Sequence, residues 1–348
     1  MPTEPLSYSV PEVRAGVGPR WKKTLASAHR WMVLARSFDG RMQALQRQGR
    51  IGFYGAATGQ EAVNVATGLA TNPEDWIFPG LREQLVALVR GFPLDRYADS
   101  IFANSRDTGR GRQMPCHPTA REVHYVSMSS VIGTQISQAV GMAYAIRQRK
   151  DPGAVVAFFG DGATSSNDFH AGLNFAGVFH LPVLFACANN QWAISLPVER
   201  QSAVATLASK TEAYGFTGTK IDGTDFVAVY RALRSALADL RAGKGPRLLE
   251  FLTYRMTPHS SSDDAGRYQP ADWPLRSQQL DPVRRLAEWM RSNGLLTESA
   301  EAKIREECEA EVLAAVRAAE EVPAPEPASL TEDVYASSGS RQVGPRGG

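Results

Sequence analysis

The chain has 348 residues, enough for one large α/β domain or two small ones, and 43% of them are apolar, enough for a substantial core. Thirty-eight basic residues against 36 acidic ones leave a net charge of +2, which gives no footing for a nucleic-acid partner, and no apolar run approaches a membrane span. Cys116, Cys187 and Cys308 are odd in number and far apart, which argues against a disulfide framework or a zinc site and fits a reducing compartment. The first residues carry Glu4 and Glu12 and lack an apolar h-region, so no secretory signal is expected and a cytoplasmic protein is the default.

Residues 1–20 contain proline and glycine and read as an N-terminal arm. From Trp21 to Leu45 apolar residues recur at helical spacing, and further helices are expected over 59–69, 82–90 and 94–103. A polar Gly-Arg-rich loop covers 104–124, and a helix rich in small residues covers 130–149. Val155 to Phe159 is a continuous apolar run, the pattern of a strand buried on both faces. A helix over 164–178 leads to a second apolar strand over 181–187. A short strand over 219–223, a helix over 225–241 and a strand over 247–254 follow. Residues 256–269 form a loop dense in Ser, Asp and His; charged helices over 282–291 and 298–321 come next, split by Asn293-Gly294. Residues 322–348 are rich in Pro, Ser and Gly and read as a flexible or partner-packing tail. Strands alternating with helices predict one α/β domain over 21–321, with a mostly parallel sheet covered by helices on both faces.

Gly160-Asp161-Gly162, then twenty-six residues, then Asn189-Asn190, is the most informative spacing. Strand, turn, helix, strand is a right-handed crossover that brings both carboxyl ends to one side of the sheet. Asp161 and the asparagines then meet in the crevice where open α/β sheets bind ligands. Oxygen ligands of this kind suit Mg²⁺, which takes one or two carboxylates or carbonyls plus phosphate oxygens. Gly160 and Gly162 let the backbone come close to that phosphate. An ordinary Gly-Asp-Gly turn is the alternative.

This motif matches the thiamin diphosphate signature, and the chain resembles the α subunit of the E1 component of 2-oxo acid dehydrogenases from about Trp21 to Tyr335. Gly111-Arg112-Gln113-Met114-Pro115 with His117, and Pro258-His259-Ser260-Ser261-Ser262-Asp263-Asp264, look most like the branched-chain (2-oxoisovalerate) type. The resemblance implies a thiamin diphosphate-binding fold for the diphosphate half of the cofactor. It implies oxidative decarboxylation of a branched-chain 2-oxo acid, with the acyl group passed to a lipoyl group on E2. Mg²⁺ would be held by Asp161, Asn190 and the carbonyl of Trp192. Arg82, Ser130 and His259 would contact the diphosphate, with Gly160 and Gly162 beside it, and Ile132 would prop the cofactor in its bent shape. His259 would also be the catalytic acid, which suits a pKa near neutrality. Ser129, Thr134 and Gln135 match a monovalent-cation (K⁺) site, and Phe53 and Tyr54 would lie in the substrate pocket.

Two positions depart from relatives: Ser166-Asn167 replaces an acidic residue and glycine, and Ala188 stands where one relative has a diphosphate-binding arginine. The carboxylate that activates the cofactor has no candidate in this sequence. It is expected from a separate β subunit, giving an α₂β₂ assembly with the cofactor at the α/β interface. Glu332-Asp333-Val334-Tyr335 in the tail would pack on a partner. Three rival readings remain: a pyruvate or acetoin dehydrogenase α subunit, a non-catalytic scaffold subunit, and the N-terminal half of a split transketolase.

Overall fold

The computed structural model describes residues 5–332. Its strands are β1 Trp76–Phe78, β2 Val155–Gly160, β3 Val183–Asn189, β4 Trp192–Ala193, β5 Leu196–Pro197, β6 Thr217–Asp222 and β7 Arg247–Leu252. Five of them form a parallel sheet in the order β1-β2-β3-β7-β6, while β4 and β5 pair as a separate antiparallel hairpin.

Side chains alternate between the faces of a strand, and here each face feeds its own core. Val156 and Phe158 of β2 join one cluster, while Val155, Ala157 and Phe159 join the other; Leu184 and Ala186 of β3 separate from Val183, Phe185 and Cys187 in the same way. The larger cluster is covered by α1 Val10–Val17, α2 Trp21–Arg47, α3 Glu61–Ala70, α4 Gln84–Val89, α5 Leu94–Phe102, α8 Phe226–Arg241, α10 Pro282–Ser292 and α11 Glu298–Glu320. On the other face lie α6 Thr134–Arg149 and α7 Asn167–Val178. The expected mostly parallel sheet with helices on both faces is what forms.

Several boundaries differ from the sequence reading. Residues 5–20 are not an arm: α1 buries Val13 and Val17, and the Tyr8 carbonyl accepts from the Trp289 indole of α10 at 2.9 Å. Eight residues carry too few apolar positions for periodicity to register. The helix expected from Ser130 starts at Thr134, after residues 129–132 that line the cavity described below; the helix expected from Thr164 starts at Asn167, after a tight turn over Asp161–Ser165. Strand β1, the β4–β5 hairpin and α9 Trp273–Gln279 are too short to show a period. The tail folds back as far as it is described: Pro323 O accepts from Ser105 N at 2.9 Å, and Glu332 pairs with Arg110 at 2.7 Å. Asp333, Val334 and Tyr335 lie outside the described residues.

Behind the sheet's carboxyl edge, Arg36 of α2 links three elements. Its Nε donates to Glu61 Oε1 at 2.7 Å, and its two terminal nitrogens donate to Asp281 at 2.9 and 3.1 Å. Glu61 Oε2 accepts from Gly59 N at 2.8 Å, which ties the loop before α3 to the same network. Gly59 has φ +99°, and a Cβ there would stand 1.9 Å from Tyr254 O, so only glycine fits. Replacing Arg36 by Met leaves two buried carboxylates without their cation, with an expected loss of about 3 kcal/mol in urea or thermal unfolding. A loss under about 1 kcal/mol, the scale of an exposed pair, would show that the carboxylates do not depend on it.

Candidate functional site

Four adjacent strands end at one edge, and each hands over to a polar side chain. After β1 the chain runs through Gly80 and Leu81 to Arg82; after β2 comes Asp161, after β3 Asn190, and after β7 the segment leading to His259. These residues line one cavity of roughly 480 Å³, together with Phe53, Ser129, Ser130, Ile132, Gln135, Gly160, Gly162 and Trp192. The structure therefore brings together every site residue expected from the sequence except Tyr54 and Thr134.

Tyr54 is a correction. It is buried in the core behind the cavity, where its hydroxyl donates to Asp39 Oδ1 at 2.6 Å and Thr58 donates to Asp39 Oδ2 at 2.6 Å. Phe53 lines the cavity, while Tyr54 turns its hydroxyl to Asp39. Thr134 begins α6 and is not part of the cavity wall.

The electrostatics of the wall are unbalanced in a specific way. Arg82 is buried, and its guanidinium donates to the carbonyls of Ala56 and His259 and approaches His259 Nδ1 at 3.3 Å. Arg255 is buried too, giving to Trp192 O at 3.3 Å, Ile194 O at 2.7 Å and the Tyr268 hydroxyl. Among the described residues, neither guanidinium has a carboxylate within salt-bridge distance. Burial, then the neighbouring Arg255, pushes Arg82 down to about 10. A buried guanidinium held this way favours an anionic group beside it.

Asp161 is the opposite case. It is 1% exposed, the one side chain that donates to it among the described residues is the neutral Gln201 amide at 2.8 Å, and burial raises its pKa. No group of three or more His, Cys, Asp or Glu side chains able to hold a metal occurs among the described residues. Asp161 would thus be the one carboxylate in an otherwise neutral oxygen set. Asn190 supplies an amide oxygen, which already accepts from Trp192 N at 3.3 Å. Asn189 does not face the site: its Nδ2 donates to Glu250 at 2.8 Å and its Oδ1 accepts from Gln191 N, locking the turn. A Cβ on Gly160 would meet nothing within 4 Å, so the space above the turn is kept open. Gly162 has a different reason from the expected one: a Cβ there would lie 2.7 Å from Ala193 Cβ of the hairpin.

His259 is set by its neighbours. Arg82 has no acceptor, so Nδ1 accepts and the neutral ring keeps its proton on Nε2. Burial, then Arg82 and Arg255, push its pKa down to about 4, not near neutrality as its expected acid role suggested. Its backbone N–H donates to Asp263 Oδ2 at 2.7 Å, which fixes the loop. His117 is buried and bridges Pro115 O and the Ser130 hydroxyl.

Sequence reasoning missed four polar groups here, buried Arg255 among them. Glu83 lines the cavity, accepts from Arg82 N at 3.3 Å, and is raised by burial to about 7. Gln60 lines the cavity with a buried, unpartnered amide nitrogen. Gln201 stands against Asp161 from outside any motif. Glu83 sits next to Arg82, the one signal available for it; Gln60 has no such neighbour.

Residues 29–328 match the family described as dehydrogenase E1 component. The chain is 40% identical over 321 residues to 2-oxoisovalerate dehydrogenase subunit alpha 1, mitochondrial, of Arabidopsis thaliana, covering 91% of this chain and 67% of that protein. It is 37% identical over 318 residues to the mitochondrial alpha subunit of 2-oxoisovalerate dehydrogenase of Homo sapiens (90% and 71%). It is 38% identical over 307 residues to the pyruvate dehydrogenase E1 component subunit alpha of Bacillus subtilis (88% and 80%). The chain spans about two thirds of the length of the two Arabidopsis relatives, 67% and 65%. With the match running through all four strand ends that build the cavity, the chain belongs to the dehydrogenase E1 component family.

Proposed function

We propose that this chain is the alpha subunit of an E1 that oxidatively decarboxylates branched-chain 2-oxo acids and passes the acyl group to the lipoyl group of an E2 partner. The observation that carries the reading is the charge pattern of one cavity: among the described residues, buried Arg82 in its wall has no carboxylate within salt-bridge distance, with Arg255 buried behind it, and the side chain that donates to buried Asp161 is the neutral Gln201 amide. A metal–diphosphate group satisfies both at once, and the open space over Gly160 gives it room. Thiamin diphosphate and Mg²⁺ fit this donor set. Asp161, Asn190 and the Trp192 carbonyl would hold the metal; Arg82, Ser130 and His259 would hold the diphosphate.

Bound there, thiamin diphosphate supplies the nucleophilic carbon that adds to the 2-oxo carbon and takes up the electron pair left when carbon dioxide departs. The chain's own work is positioning and charge. Arg82 is pinned by two carbonyls, so its fork needs no reorganisation to meet phosphate oxygens. His259 keeps a proton at Nε2 for an oxygen in the cavity, and an anion that offsets the two guanidiniums raises its pKa towards the working range. Ile132 is 64% exposed at the cavity rim, where it can prop a ligand. K⁺ would take the oxygens of Ser129, Thr134 and Gln135; buried Gln135 Oε1 has no partner, while its Nε2 is fixed on Phe158 O at 2.8 Å.

A beta subunit completes the reading. Glu83, the cavity's second carboxylate, accepts from the backbone of its own turn beside Arg82 and so belongs to the diphosphate end. The activating carboxylate is therefore assigned to the beta subunit of an α₂β₂ assembly. Three buried free thiols accord with a reducing, cytoplasmic compartment.

A pyruvate preference is the second reading, favoured by the likeness to the Bacillus subtilis alpha subunit. The match to the dehydrogenase E1 component family weighs against a split transketolase.

Co-expression with a beta subunit, followed by assay of 2-oxoisovalerate, pyruvate and acetoin with thiamin diphosphate, Mg²⁺ and an artificial electron acceptor, tests the function. Turnover of 2-oxoisovalerate is expected; no decarboxylation of any 2-oxo acid sinks the E1 assignment, and a pyruvate preference sinks the branched-chain part alone. Arg82→Met removes charge-assisted bonds of about 1.5–3 kcal/mol, so cofactor affinity by calorimetry should fall roughly 10- to 100-fold, with partial recovery in Arg82→Lys. Unchanged affinity would place the diphosphate elsewhere. His259 gives a pH signature in the cofactor-free protein. The unfolded chain takes up the histidine proton near 6.5 and the folded one only near 4, so stability drops as pH falls through that window. His259→Asn should flatten the drop in urea midpoints compared at pH 7 and 5; an equal drop in the variant would remove His259 from the account.

A further inference from the structure

Gln201 lies outside the Gly-Asp-Gly and Asn-Asn segments, yet it holds the first to the chain that follows the second. The β4–β5 hairpin leaves β3 and is followed by a tight turn over Val198–Arg200, whose cap is Gln201, with its N–H donating to Val198 O at 3.0 Å. From there its amide nitrogen reaches two acceptors: Asp161 Oδ2 at 2.8 Å and Leu196 O at 2.9 Å. Both amide hydrogens are thereby used, so the side chain has one orientation. Its amide oxygen is buried, has no hydrogen-bond partner, and stands beside Gly162, 3.6 Å from where a Cβ would be.

We propose that Gln201 is a positioning residue for the metal site: it clamps one carboxylate oxygen of Asp161 and leaves the other free for a divalent cation. The inference rests on reading the cavity as a metal–diphosphate site. Two facts carry it independently of that family reading. Among the described residues Gln201 is the one side chain that donates to Asp161, joining backbone N–H groups of Asp161 and Asn190 in setting how its carboxylate is turned. The unpartnered Oε1 is a buried acceptor with no donor, a costly arrangement that a hydrated Mg²⁺ relieves, because Mg²⁺ keeps several of its waters. Partners that orient a metal ligand characteristically change metal affinity without touching the metal.

The test uses the full chain assembled with its beta subunit, with thiamin diphosphate saturating and Mg²⁺ titrated by calorimetry. Mn²⁺ followed by electron paramagnetic resonance is a second metal probe. Gln201→Met keeps the length and removes both polar atoms; Gln201→Glu keeps an acceptor and places it against Asp161. The metal dissociation constant should rise roughly 10- to 100-fold in Gln201→Met and at least as much in Gln201→Glu. Excess Mg²⁺ should restore kcat in Gln201→Met, because the residue acts through Asp161 and touches no reacting atom. If one variant fails to assemble, the other still reports the metal constant. Unchanged metal affinity in an assembled variant overturns the proposal, as does a kcat loss that excess Mg²⁺ leaves in place. A wild-type complex that binds no Mg²⁺ with thiamin diphosphate overturns the metal–diphosphate reading itself, a result separable from the variants.

Discussion

The parallel register that sets Gly160 beside Ala188 decides where the rest of the site can stand. Asp161 follows the first of these and Asn190 lies two past the second, so the pairing of two buried strands fixes the offset between both polar groups. Nothing in the loops could supply that offset as firmly, because β2 and β3 are held by cores on both faces. β7 pairs with β3 on its far side and carries the chain toward Arg255 and His259, while β1 flanks β2 and carries it toward Arg82. Four strand ends in one sheet thus become four walls of one cavity.

Charges brought together this way are costly in the free chain. Arg82 and Arg255 have been desolvated against carbonyl oxygens and a phenol, a partial substitute for water; burial holds both pKa values down, and Arg255 adds to the lowering of Arg82. The surrounding structure tolerates this because the layer behind the cavity is satisfied. Arg36 joins Glu61 to Asp281, and Asp39 accepts from both Tyr54 and Thr58. Arg82 and Asp161, which line the cavity, have no such ion-pair partner among the described residues. Such an arrangement stores binding energy for a ligand carrying both signs and discriminates against a simple anion or a simple cation.

How much of this was legible in the sequence depends on how far each signal extends. The βαβ unit around Gly160-Asp161-Gly162 and Asn189-Asn190 was readable because its strands are continuous apolar runs and its ligands sit at their ends. The position of His259 was readable through the loop that carries it, but its low pKa was not, since Arg82 lies 177 residues away. Tyr54 was misplaced for the same kind of reason: the resemblance put it in the substrate pocket with Phe53, whereas its orientation follows from Asp39 in α2. Gln201 follows a hairpin of two-residue strands, too short for any period, and its bond to Asp161 spans 40 positions. Local pattern finds the groups that end strands; it does not find the groups that orient them.

The rim of the cavity follows a different logic from its floor. Where the floor is polar and buried, Met114, Val131, Ile132 and Ile194 stand 48%, 66%, 64% and 55% exposed around it. Scattered apolar residues on a surface need no explanation, but four gathered at the mouth of one charged cavity do. In water they weaken the site twice, by exposing apolar area and by leaving the charges below under high-dielectric screening. Covered by another protein surface, they exclude water and strengthen the interaction of Arg82 and Asp161 with a ligand. On the alpha-subunit reading proposed above, this apolar rim is the face that a beta subunit would close.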